Sequence, residues 1–313
     1  MTVFIDFEKG EAGLDWLALT DAFAEGHRCP KADVRDVFMY AGENTLLNRS
    51  AWIDGLGLAV KCATIFPGNR SQAKPVVGGA VNLFSGLDGR LEAVLDFHLV
   101  TKWKTAADSL LGARRLARND SRNVLIVGAG TVGMSLRHAY AAAFPEAKFT
   151  IWNRSVRRAE VFAETFPDVA IATELETAVA SADIVTCATM STEPVIKGEW
   201  LQLGQHIDLI GAYRPDMREV DDVALQRSRI FVDSRETTMD HIGELKIPLS
   251  KGAISPDDIQ ADFYQLDRFQ RADASEITLF KNGGGAHLDL MTCRFILAAW
   301  QRHEEGRTSS CGT

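Results

Sequence analysis

The glycine-rich segment GAGTVG, residues 128–133, has the spacing of a dinucleotide-binding turn. The apolar run NVLIV precedes it and a helical pattern follows, which is the strand–turn–helix context that the motif requires. Gly128 would permit the tight turn, Gly130 would let the backbone approach a pyrophosphate, and Gly133 would let helix pack closely on strand. The alternative is a purely structural glycine turn. The predicted cofactor-binding residues of this segment are Gly128, Gly130, Thr131, Val132 and Gly133, at a helix start that offers free N–H groups to the phosphates.

The residues at the end of the next strand bear on which dinucleotide is bound. An acid there would accept hydrogen bonds from the ribose 2′-hydroxyl of NAD and would repel a 2′-phosphate. This sequence has Asn153, Arg154 and Ser155 instead, and Arg157 and Arg158 follow. Because a guanidinium and a hydroxyl suit a phosphate dianion, NADP(H) is favoured, with NAD(H) as the alternative. The arginines could instead form a solvated helix face, which we expect for at least one of Arg157 and Arg158.

Short apolar runs alternate with helical patterns from residue 123 onward. Such alternation predicts an α/β fold of the Rossmann type, with a parallel, doubly wound sheet covered on both faces. We also expect Thr189, Met190 and Gly211 to contact the cofactor, and Cys187 to line its cleft. The predicted strands are VLIVGAG, KFTIWN, VAIAT, DIVTCAT, HIDLIGAY and RIFVDS, and the predicted helices span residues 131–144, 155–166 and 173–182.

The part of the chain before residue 120 has a different pattern. Residues 14–25 are spaced as an amphipathic helix. The runs LAVKCATIF, VVGGAVNLF and LEAVLDFHLV, separated by PGNRSQAKP and SGLDGR, predict an antiparallel meander over residues 58–100. TAADSLLGARRLAR then predicts a helix, and HLDLMTCRFILAAWQRH predicts a last amphipathic helix near the end of the chain.

The overall composition excludes several classes of partner. A net charge of −8 over 313 residues argues against nucleic acid or anionic lipid as the main partner. No apolar run reaches about 18 residues, and the start of the sequence lacks the basic region of a secretion signal. We therefore expect a cytoplasmic protein that contacts no membrane. Cys29, Cys62, Cys187, Cys293 and Cys311 lack metal-ligand spacing and are expected to be reduced thiols, without a bound metal.

Several segments together resemble the ornithine cyclodeaminase/μ-crystallin family. They are GLAVK with PGN, LVTKWKTAADSLLGARRLAR, WNRS, STEPVIKGEWLQLGQHIDLIGAYRPDMREVDD and EITLFKNGGGAHLDL, in the family's order over roughly residues 10–300. The family includes ornithine cyclodeaminases, ketimine and pyrroline-2-carboxylate reductases, and certain alanine dehydrogenases. The resemblance implies a Rossmann domain over residues 119–285 and an α+β platform for substrate and dimerisation, built from residues 1–118 and 286–313.

The resemblance assigns two lysines to the substrate. Lys61 matches the family's GLK lysine, which is thought to contact the substrate carboxylate and assist proton transfer; a solvent-facing edge lysine is the alternative. Lys104 replaces the arginine of the TxxRTAA motif, so it keeps the charge but loses the bidentate fork. The family's upstream PxR arginine is not evident, because Ala32 stands at its place. Lys31, Arg49 or no residue takes its role.

Two further matches bear on the reaction. Cyclodeaminases carry an aspartate where this chain has Tyr213, and a neutral phenol cannot pair with the second ammonium of ornithine. Tyr213 occupies a predicted catalytic position and therefore points to the reductase-like μ-crystallin branch. The alternative is that Asp216 performs the task of the missing aspartate from a shifted backbone. Asn282 and Gly283 would lie beside the nicotinamide and substrate. His287 is either a proton donor or a structural histidine.

The sequence thus predicts a homodimeric NAD(P)H-dependent reductase of a ketimine or cyclic imine carboxylate, such as Δ1-pyrroline-2-carboxylate, in amino-acid metabolism. Hydride would pass from the nicotinamide to the C=N carbon. Lys61 and Lys104 would hold the substrate carboxylate, and Lys61 or a water would protonate the nitrogen. The alternatives are an ornithine cyclodeaminase with tightly held NAD and a non-catalytic NADP-binding protein.

Overall fold

The structure, a computed structural model, describes residues 2–72 and 74–310, with side chains described through residue 306. Its strands are β1 (Val3–Ile5), β2 (Asp33–Ala41), β3 (Asn44–Ile53), β4 (Gly57–Ile65), β5 (Val77–Phe84), β6 (Leu91–Asp96), β7 (Asn123–Val127), β8 (Lys148–Trp152), β9 (Val169–Ile171), β10 (Ile184–Cys187), β11 (His206–Leu209), β12 (Ser228–Val232), β13 (Ile259–Ala261) and β14 (Ile277–Lys281). Its α-helices are α1 (Phe7–Glu11), α2 (Trp16–Gly26), α3 (Phe97–Leu116), α4 (Thr131–Ala143), α5 (Val156–Thr165), α6 (Leu175–Ser181), α7 (Asp222–Gln226), α8 (Arg235–Thr238), α9 (Gly243–Lys251) and α10 (Ala286–Ser310). Short 3-10 segments span Pro67–Gln72, Gly198–Trp200, Pro256–Asp258 and Phe263–Arg268.

The chain divides into two compact units. The platform unit contains the residues up to Lys104 and again from Gly285, and the Rossmann unit runs Thr105–Gly284. The first boundary predicted from the sequence, between residues 118 and 119, lies after α3. In the structure the division falls within that helix, because the first turns of α3 pack with the platform. There Leu99 and Val100 are buried, and the Trp103 ring stacks on the Trp16 ring at 3.8 Å.

The platform unit is built on a six-stranded sheet of order β1-β6-β5-β4-β3-β2. The pairs from β2 to β6 are antiparallel, and β1 adds a parallel edge. Strands β4 to β6 are the meander predicted from the sequence, whereas β1, β2 and β3 were not predicted. Helix α10 packs along β3, β4 and β5 and covers the core.

The third strand of the meander is shorter in the structure than the predicted run LEAVLDFHLV. Strand β6 ends at Asp96, and the segment FHLV that follows it is helical. The physical reason is a helix cap: the Asp96 carboxylate accepts the backbone N–H of Leu99 at 2.8 Å, which satisfies a donor in the first turn of α3. Helix α3 therefore begins earlier than the predicted TAADSLLGARRLAR helix.

Strand β2 lies at an open edge of the platform sheet and carries exposed apolar side chains. Val37, Phe38, Met39 and Tyr40 are between 50% and 72% exposed, although neighbouring residues of a strand face opposite sides. Among the described residues, both faces of β2 at residues 37–40 and its outer edge are therefore largely uncovered. Edges of this kind favour pairing with another chain.

The Rossmann unit is a doubly wound α/β fold, as predicted. Its eight strands are all parallel in the order β13-β12-β14-β11-β10-β7-β8-β9. Strand β14, late in the sequence, inserts between β11 and β12. The strand order reverses between β7 and β10, and ligands of doubly wound sheets bind outside the carboxyl ends at such a point.

None of the helices in the described part of the chain combines the length and the apolar character needed to cross a membrane.

Candidate functional site

The glycine-rich turn after β7 has a separate physical reason for each glycine. Gly128 has φ +116°, and a Cβ on it would lie 2.6 Å from the carbonyl oxygen of Ala188, at the end of the neighbouring β10. A Cβ on Gly133 would lie 2.1 Å from the Gly128 carbonyl oxygen, so helix α4 can approach β7 only with glycine there. Gly130, the N-cap of α4, has open space beside it. That space lies at the start of a helix, which suits an approaching phosphate group.

Asn153 holds this turn in place from the end of β8. Its Oδ1 accepts the backbone N–H of Ala129 at 3.1 Å, and its Nδ2 donates to the carbonyl oxygen of Ser155 at 3.0 Å. The side chain that was predicted to contact the cofactor therefore ties the glycine turn to the start of α5. A short amide at this position does so without the negative charge of an aspartate.

The arginines after Asn153 differ in whether a carboxylate of the same helix pairs with them. Arg157 forms ion pairs with Glu160 and Glu164 on its own helix, at 3.4 and 3.1 Å, as expected for a solvated helix face. Arg154 is exposed. Ser155 is the N-cap of α5, and its side chain accepts no capping hydrogen bond from the helix backbone. Adjacent residues at a helix N-terminus thus carry a guanidinium and a hydroxyl.

A buried glutamate joins the segments that follow β10 and β11. Glu219 Oε1 accepts the backbone N–H and the hydroxyl of Thr189, and its Oε2 accepts the N–H groups of Gly211 and Ala212. A Cβ on Gly211 would lie 2.0 Å from the Thr189 carbonyl oxygen. Close packing against the Thr189 backbone therefore requires glycine at position 211, whether or not a ligand is bound there. Glu219 was not predicted from the sequence; its only signal there was an acid in the family-like RPDMRE segment. Met190, by contrast, is exposed.

Behind Glu219 lies a second buried carboxylate. Glu244 accepts the backbone N–H groups of Glu219 and Val220 at 2.7 and 3.1 Å. Burial, and then the charge of Glu219, raise the pKa of Glu244 to about 7. The segment that carries Glu219 is therefore fixed from both sides, by its own side chain and by Glu244.

The glycine-rich segment after β14 is packed against α8. A Cβ on Gly283 would lie 2.6 Å from the Thr238 methyl group, and the N–H of Gly284 donates to Asp233 at 2.6 Å. Asn282 is buried, and its Nδ2 donates to the carbonyl oxygen of Thr105 and to Ser109. These contacts fix the amide plane of Asn282. Its Oδ1 accepts no hydrogen bond from the residues that the structure describes, so it is available to a ligand.

In the platform unit, Lys61 forms a buried ion pair. Its Nζ lies 2.9 Å from Asp289 Oδ1, and the two side chains are 8% and 1% exposed. The Lys61 ammonium also lies 4.8 Å from the centre of the Phe97 ring. Burial lowers the pKa of Lys61, although the charge of Asp289 opposes the change. The alternative of a solvent-facing edge lysine is therefore wrong.

Two more cations lie within electrostatic reach of this pair. Arg49 on β3 stands opposite Lys61 on β4 in the strand register, and it forms an ion pair with Asp36 at 3.0 Å. Lys104 on α3 is only 6% exposed and has no hydrogen bond or ion pair among the described residues. A buried ammonium without an acceptor is costly unless an anion binds to it. Lys61, Lys104, Arg49 and Asp289 are called the lysine cluster below.

Two buried histidines lie next to the lysine cluster. The rings of His27 and His287 lie 5.2 Å apart, edge to face, and both are buried. Burial, and then the charges of His27, Lys104, Arg49 and Lys31, lower the pKa of His287 well below 6.5. An imidazole that stays neutral at pH 7 favours the structural interpretation of His287. Lys31 acts on His287, so it too lies near this cluster. In the described part of the chain, no three His, Cys, Asp or Glu side chains are arranged to bind a metal.

Tyr213 lies on an exposed segment of the Rossmann unit. Its ring is 58% exposed and lies 5.9 Å from the Arg214 guanidinium. Asp216, the acid that could have replaced a cyclodeaminase aspartate, forms an ion pair with Arg214 at 2.9 Å. The hydrogen bond from Arg214 lowers the pKa of Asp216. Asp216 is therefore already paired with a cation of its own segment.

Comparison with known proteins confirms the resemblance seen in the sequence. The model of the ornithine cyclodeaminase/mu-crystallin family matches residues 53–304. The Δ1-pyrroline-2-carboxylate reductase of Paracoccus denitrificans (strain Pd 1222) is 47% identical over 301 residues, which are 94% of this chain and 95% of that protein. The ketimine reductase mu-crystallin of Mus musculus is 34% identical over 245 residues, 78% of this chain and 76% of that protein. A solved archaeal alanine dehydrogenase dimer with bound NAD has a TM-score of 0.88 at 26% identity and covers 97% of both chains. This chain belongs to the ornithine cyclodeaminase/mu-crystallin family.

Proposed function

We propose that this protein is an NAD(P)H-dependent reductase of a cyclic ketimine carboxylate, with Δ1-pyrroline-2-carboxylate as substrate and proline as product. The observation that carries the proposal is the lysine cluster, where the buried Lys104 ammonium has no acceptor among the described residues. A planar imine carboxylate supplies the missing anion. The similarity to the Paracoccus denitrificans reductase supports the same substrate class.

The residues of the Rossmann unit fit a nicotinamide dinucleotide. The open space at Gly130 would accept the pyrophosphate at the start of α4, and the unbonded Asn282 Oδ1 would be free to accept a hydrogen bond from the carboxamide. The bound cofactor would supply the hydride that reduces the C=N bond. Thr189 and Gly211 keep their proposed place beside the cofactor, although both are also bonded to Glu219.

The residues of the platform unit orient the substrate and supply the proton. Lys104 binds the substrate carboxylate, with Arg49 adding positive charge nearby. Reduction adds one hydride to the imine carbon and one proton to the nitrogen, and the π electrons of the C=N bond become the nitrogen lone pair that takes this proton. Lys61 donates the proton from its ammonium and regains it from solvent.

For the cofactor we propose NADP(H), with NAD(H) as the weaker alternative. Arg154 and the Ser155 hydroxyl, which makes no capping hydrogen bond, form a site for the 2′-phosphate. Position 153 carries an asparagine, not the carboxylate that would bind a free 2′-hydroxyl. The related alanine dehydrogenase binds NAD. The balance between the two cofactors is therefore a property to measure on this chain.

Two further properties complete the proposal. The exposed apolar strand β2 pairs with a second copy of the chain, so the active form is a homodimer. The described cysteines Cys29, Cys62, Cys187 and Cys293 are unpaired thiols, as suits a cytoplasmic enzyme. Cys311 lies outside the described residues.

The experiment is an assay of purified protein with Δ1-pyrroline-2-carboxylate and either NADPH or NADH, beside an assay of ammonia release from ornithine with NAD. We expect oxidation of the reduced cofactor only when the imine is present, faster with NADPH, and no ammonia from ornithine. The cyclodeaminase alternative predicts the opposite pair of results, and a protein that only binds nucleotide predicts neither activity. Tyr213 in place of an acid, and Asp216 paired with Arg214, are the observations against the cyclodeaminase.

A further inference from the structure

Asp289, on the first turn of α10, is the acid of the lysine cluster and had no predicted role. We infer that Asp289 is a positioning residue that holds the Lys61 ammonium in place and thereby gives Lys61 and Lys104 different tasks. Lys61 becomes the proton donor and Lys104 the carboxylate anchor. This inference rests on the imine reduction proposed above.

The contact between Asp289 and Lys61 is short and shielded from solvent. Asp289 Oδ1 accepts from Lys61 Nζ at 2.9 Å, and the carboxylate is 1% exposed, so it reaches substrate only through the lysine. Its position in the first turn of α10 lets the helix N-terminus favour the negative charge. Burial alone would raise the pKa of Asp289, but the charges of Lys61, Lys104 and Arg49 lower it. The acid therefore stays ionised and keeps its lysine charged.

Lys104 lacks such a partner. The Lys61–Asp289 pair is close to neutral as a unit, whereas the charge of Lys104 is not compensated by an acid in direct contact. A substrate carboxylate is attracted to the uncompensated cation, and its imine nitrogen is left for the ammonium whose proton is held ready. Without Asp289, Lys61 would face burial together with the repulsion of Lys104 and Arg49, and its pKa would fall.

The imidazole and thiol groups that face this pair stay neutral near pH 7. Burial lowers the pKa of His27 to about 4 and that of His287 well below 6.5, and burial raises the pKa of Cys293 well above its usual value. A change in the titration of the cluster in Asp289→Asn is thus not attributable to these histidine and thiol groups. The groups facing it are Asp289 and Cys293 on α10, Lys104 on α3, Arg49 on β3, and, around His287, His27 and Lys31.

The test replaces the acid and follows the lysine. Asp289→Asn is expected to move the basic limb of the kcat–pH profile to lower pH by about one unit or more and to lower kcat at pH 8 about tenfold or more. KM for the imine changes much less, because Lys104 still holds the carboxylate. The matched control is Glu11→Gln, which removes the acid of the Lys102 ion pair elsewhere in the platform unit. It should leave the limb in place.

A second readout does not need activity. The Lys61 ammonium is observed by NMR in lysine-labelled protein, assigned with Lys61→Met, and should titrate at lower pH in Asp289→Asn than in the unsubstituted protein. An unchanged titration and an unchanged limb, or an equal change in Glu11→Gln, would overturn the role of Asp289. If Asp289→Asn does not fold, Asp289→Glu must lower kcat by displacing the lysine, and an unchanged kcat overturns the inference. Failure of the proposed function appears separately, as an unsubstituted protein that does not reduce the imine while Lys61 still titrates as predicted.

Discussion

Glu219 binds Thr189 twice through one oxygen: Oε1 accepts the backbone N–H at 2.7 Å and the hydroxyl at 2.9 Å. Its second oxygen accepts the N–H groups of Gly211 and Ala212 at 2.7 and 3.2 Å. A single buried carboxylate therefore joins the segments that follow two neighbouring strands. In a doubly wound sheet such segments border the ligand crevice, so the shape of the proposed cofactor site would depend on a side chain that need not touch the cofactor.

The first prediction concerns this link. Glu219→Gln keeps the size of the side chain but replaces one acceptor oxygen by a donor, which leaves backbone N–H groups unbonded at a cost of about 1–3 kcal/mol. We expect a lower melting temperature and a KM for the cofactor raised several-fold. Glu276→Gln is the control, since Glu276 also accepts a backbone N–H, from Ala272, in the same unit. Equal effects of both substitutions on KM would contradict the role of Glu219.

The second prediction concerns cofactor choice. Arg154→Ala should weaken NADPH binding by roughly tenfold to a hundredfold, because it removes a charge-assisted contact to the 2′-phosphate. NADH binding should change little. Arg157→Ala is a matched control, because Arg157 is already paired with Glu160 and Glu164. Isothermal titration with both cofactors measures the difference. The same loss for NADPH and NADH, or none for either, would rule out the phosphate site.

The third prediction concerns assembly. Phe38 and Tyr40 lie on one face of β2 with their ring centres 6.2 Å apart, and both are at least half exposed. The double substitution Phe38→Asp and Tyr40→Asp places charges on that face and should convert a dimer into a monomer by light scattering. Leu203→Asp, at an exposed apolar residue of the Rossmann unit, should leave the dimer intact. A monomeric unsubstituted protein at micromolar concentration would contradict the assembly.

The fourth prediction concerns stability and pH. Asp208 is buried in the Rossmann unit and accepts hydrogen bonds from Tyr140 at 3.0 Å and Thr186 at 2.6 Å. Burial raises the pKa of Asp208 to about 6, although these bonds and one from Ser109 oppose it. The folded protein then binds this proton more tightly than the unfolded chain. Its contribution to stability is present below the unfolded pKa and is lost as pH rises through the folded pKa.

The unfolding free energy of the unsubstituted protein, compared with Asp208→Asn, should therefore fall between about pH 4 and pH 6.5, by an amount on the order of 2 kcal/mol. Denaturant unfolding at a series of pH values measures the difference. Asp120→Asn is the contrasting variant, because the hydrogen bond from Arg118 lowers the pKa of that exposed carboxylate. A difference between the unsubstituted protein and Asp208→Asn that stays constant with pH would show that Asp208 does not titrate in this range.

Local signals in the sequence carried much of the fold. The spacing of Gly128, Gly130 and Gly133 and the alternation of strands and helices specify the Rossmann unit, because both depend on neighbours within a few residues. Strand β2 was missed because it is exposed on both faces, and so it lacks the period of two that marks a half-buried strand. The place of β14 between β11 and β12 is a matter of topology that no local pattern records.

The site was less accessible from the sequence than the fold. Lys61 was found by resemblance, but its partner Asp289 lies 228 residues further along the chain. An acid within the apolar pattern HLDLMTCRFILAAW was the signal that could have marked Asp289 as a buried residue in need of a cation. The cofactor contact expected of Asn153 stays a prediction, whereas the hydrogen bond of its side chain to the glycine turn was not predicted. Side-chain pairing across the fold decides such roles, and spacing does not.

Transfer of the hydride from the cofactor to the imine carbon can be followed directly. Δ1-Pyrroline-2-carboxylate is incubated with the protein and NADPH carrying deuterium on both faces of nicotinamide C4, and the product is analysed by mass spectrometry. Imine reduction by this protein should give proline with one deuterium at the α-carbon, formed only when the protein is present, and in strongly reduced amount with Lys104→Met. Proline without deuterium, or no proline with either NADPH or NADH, would contradict it.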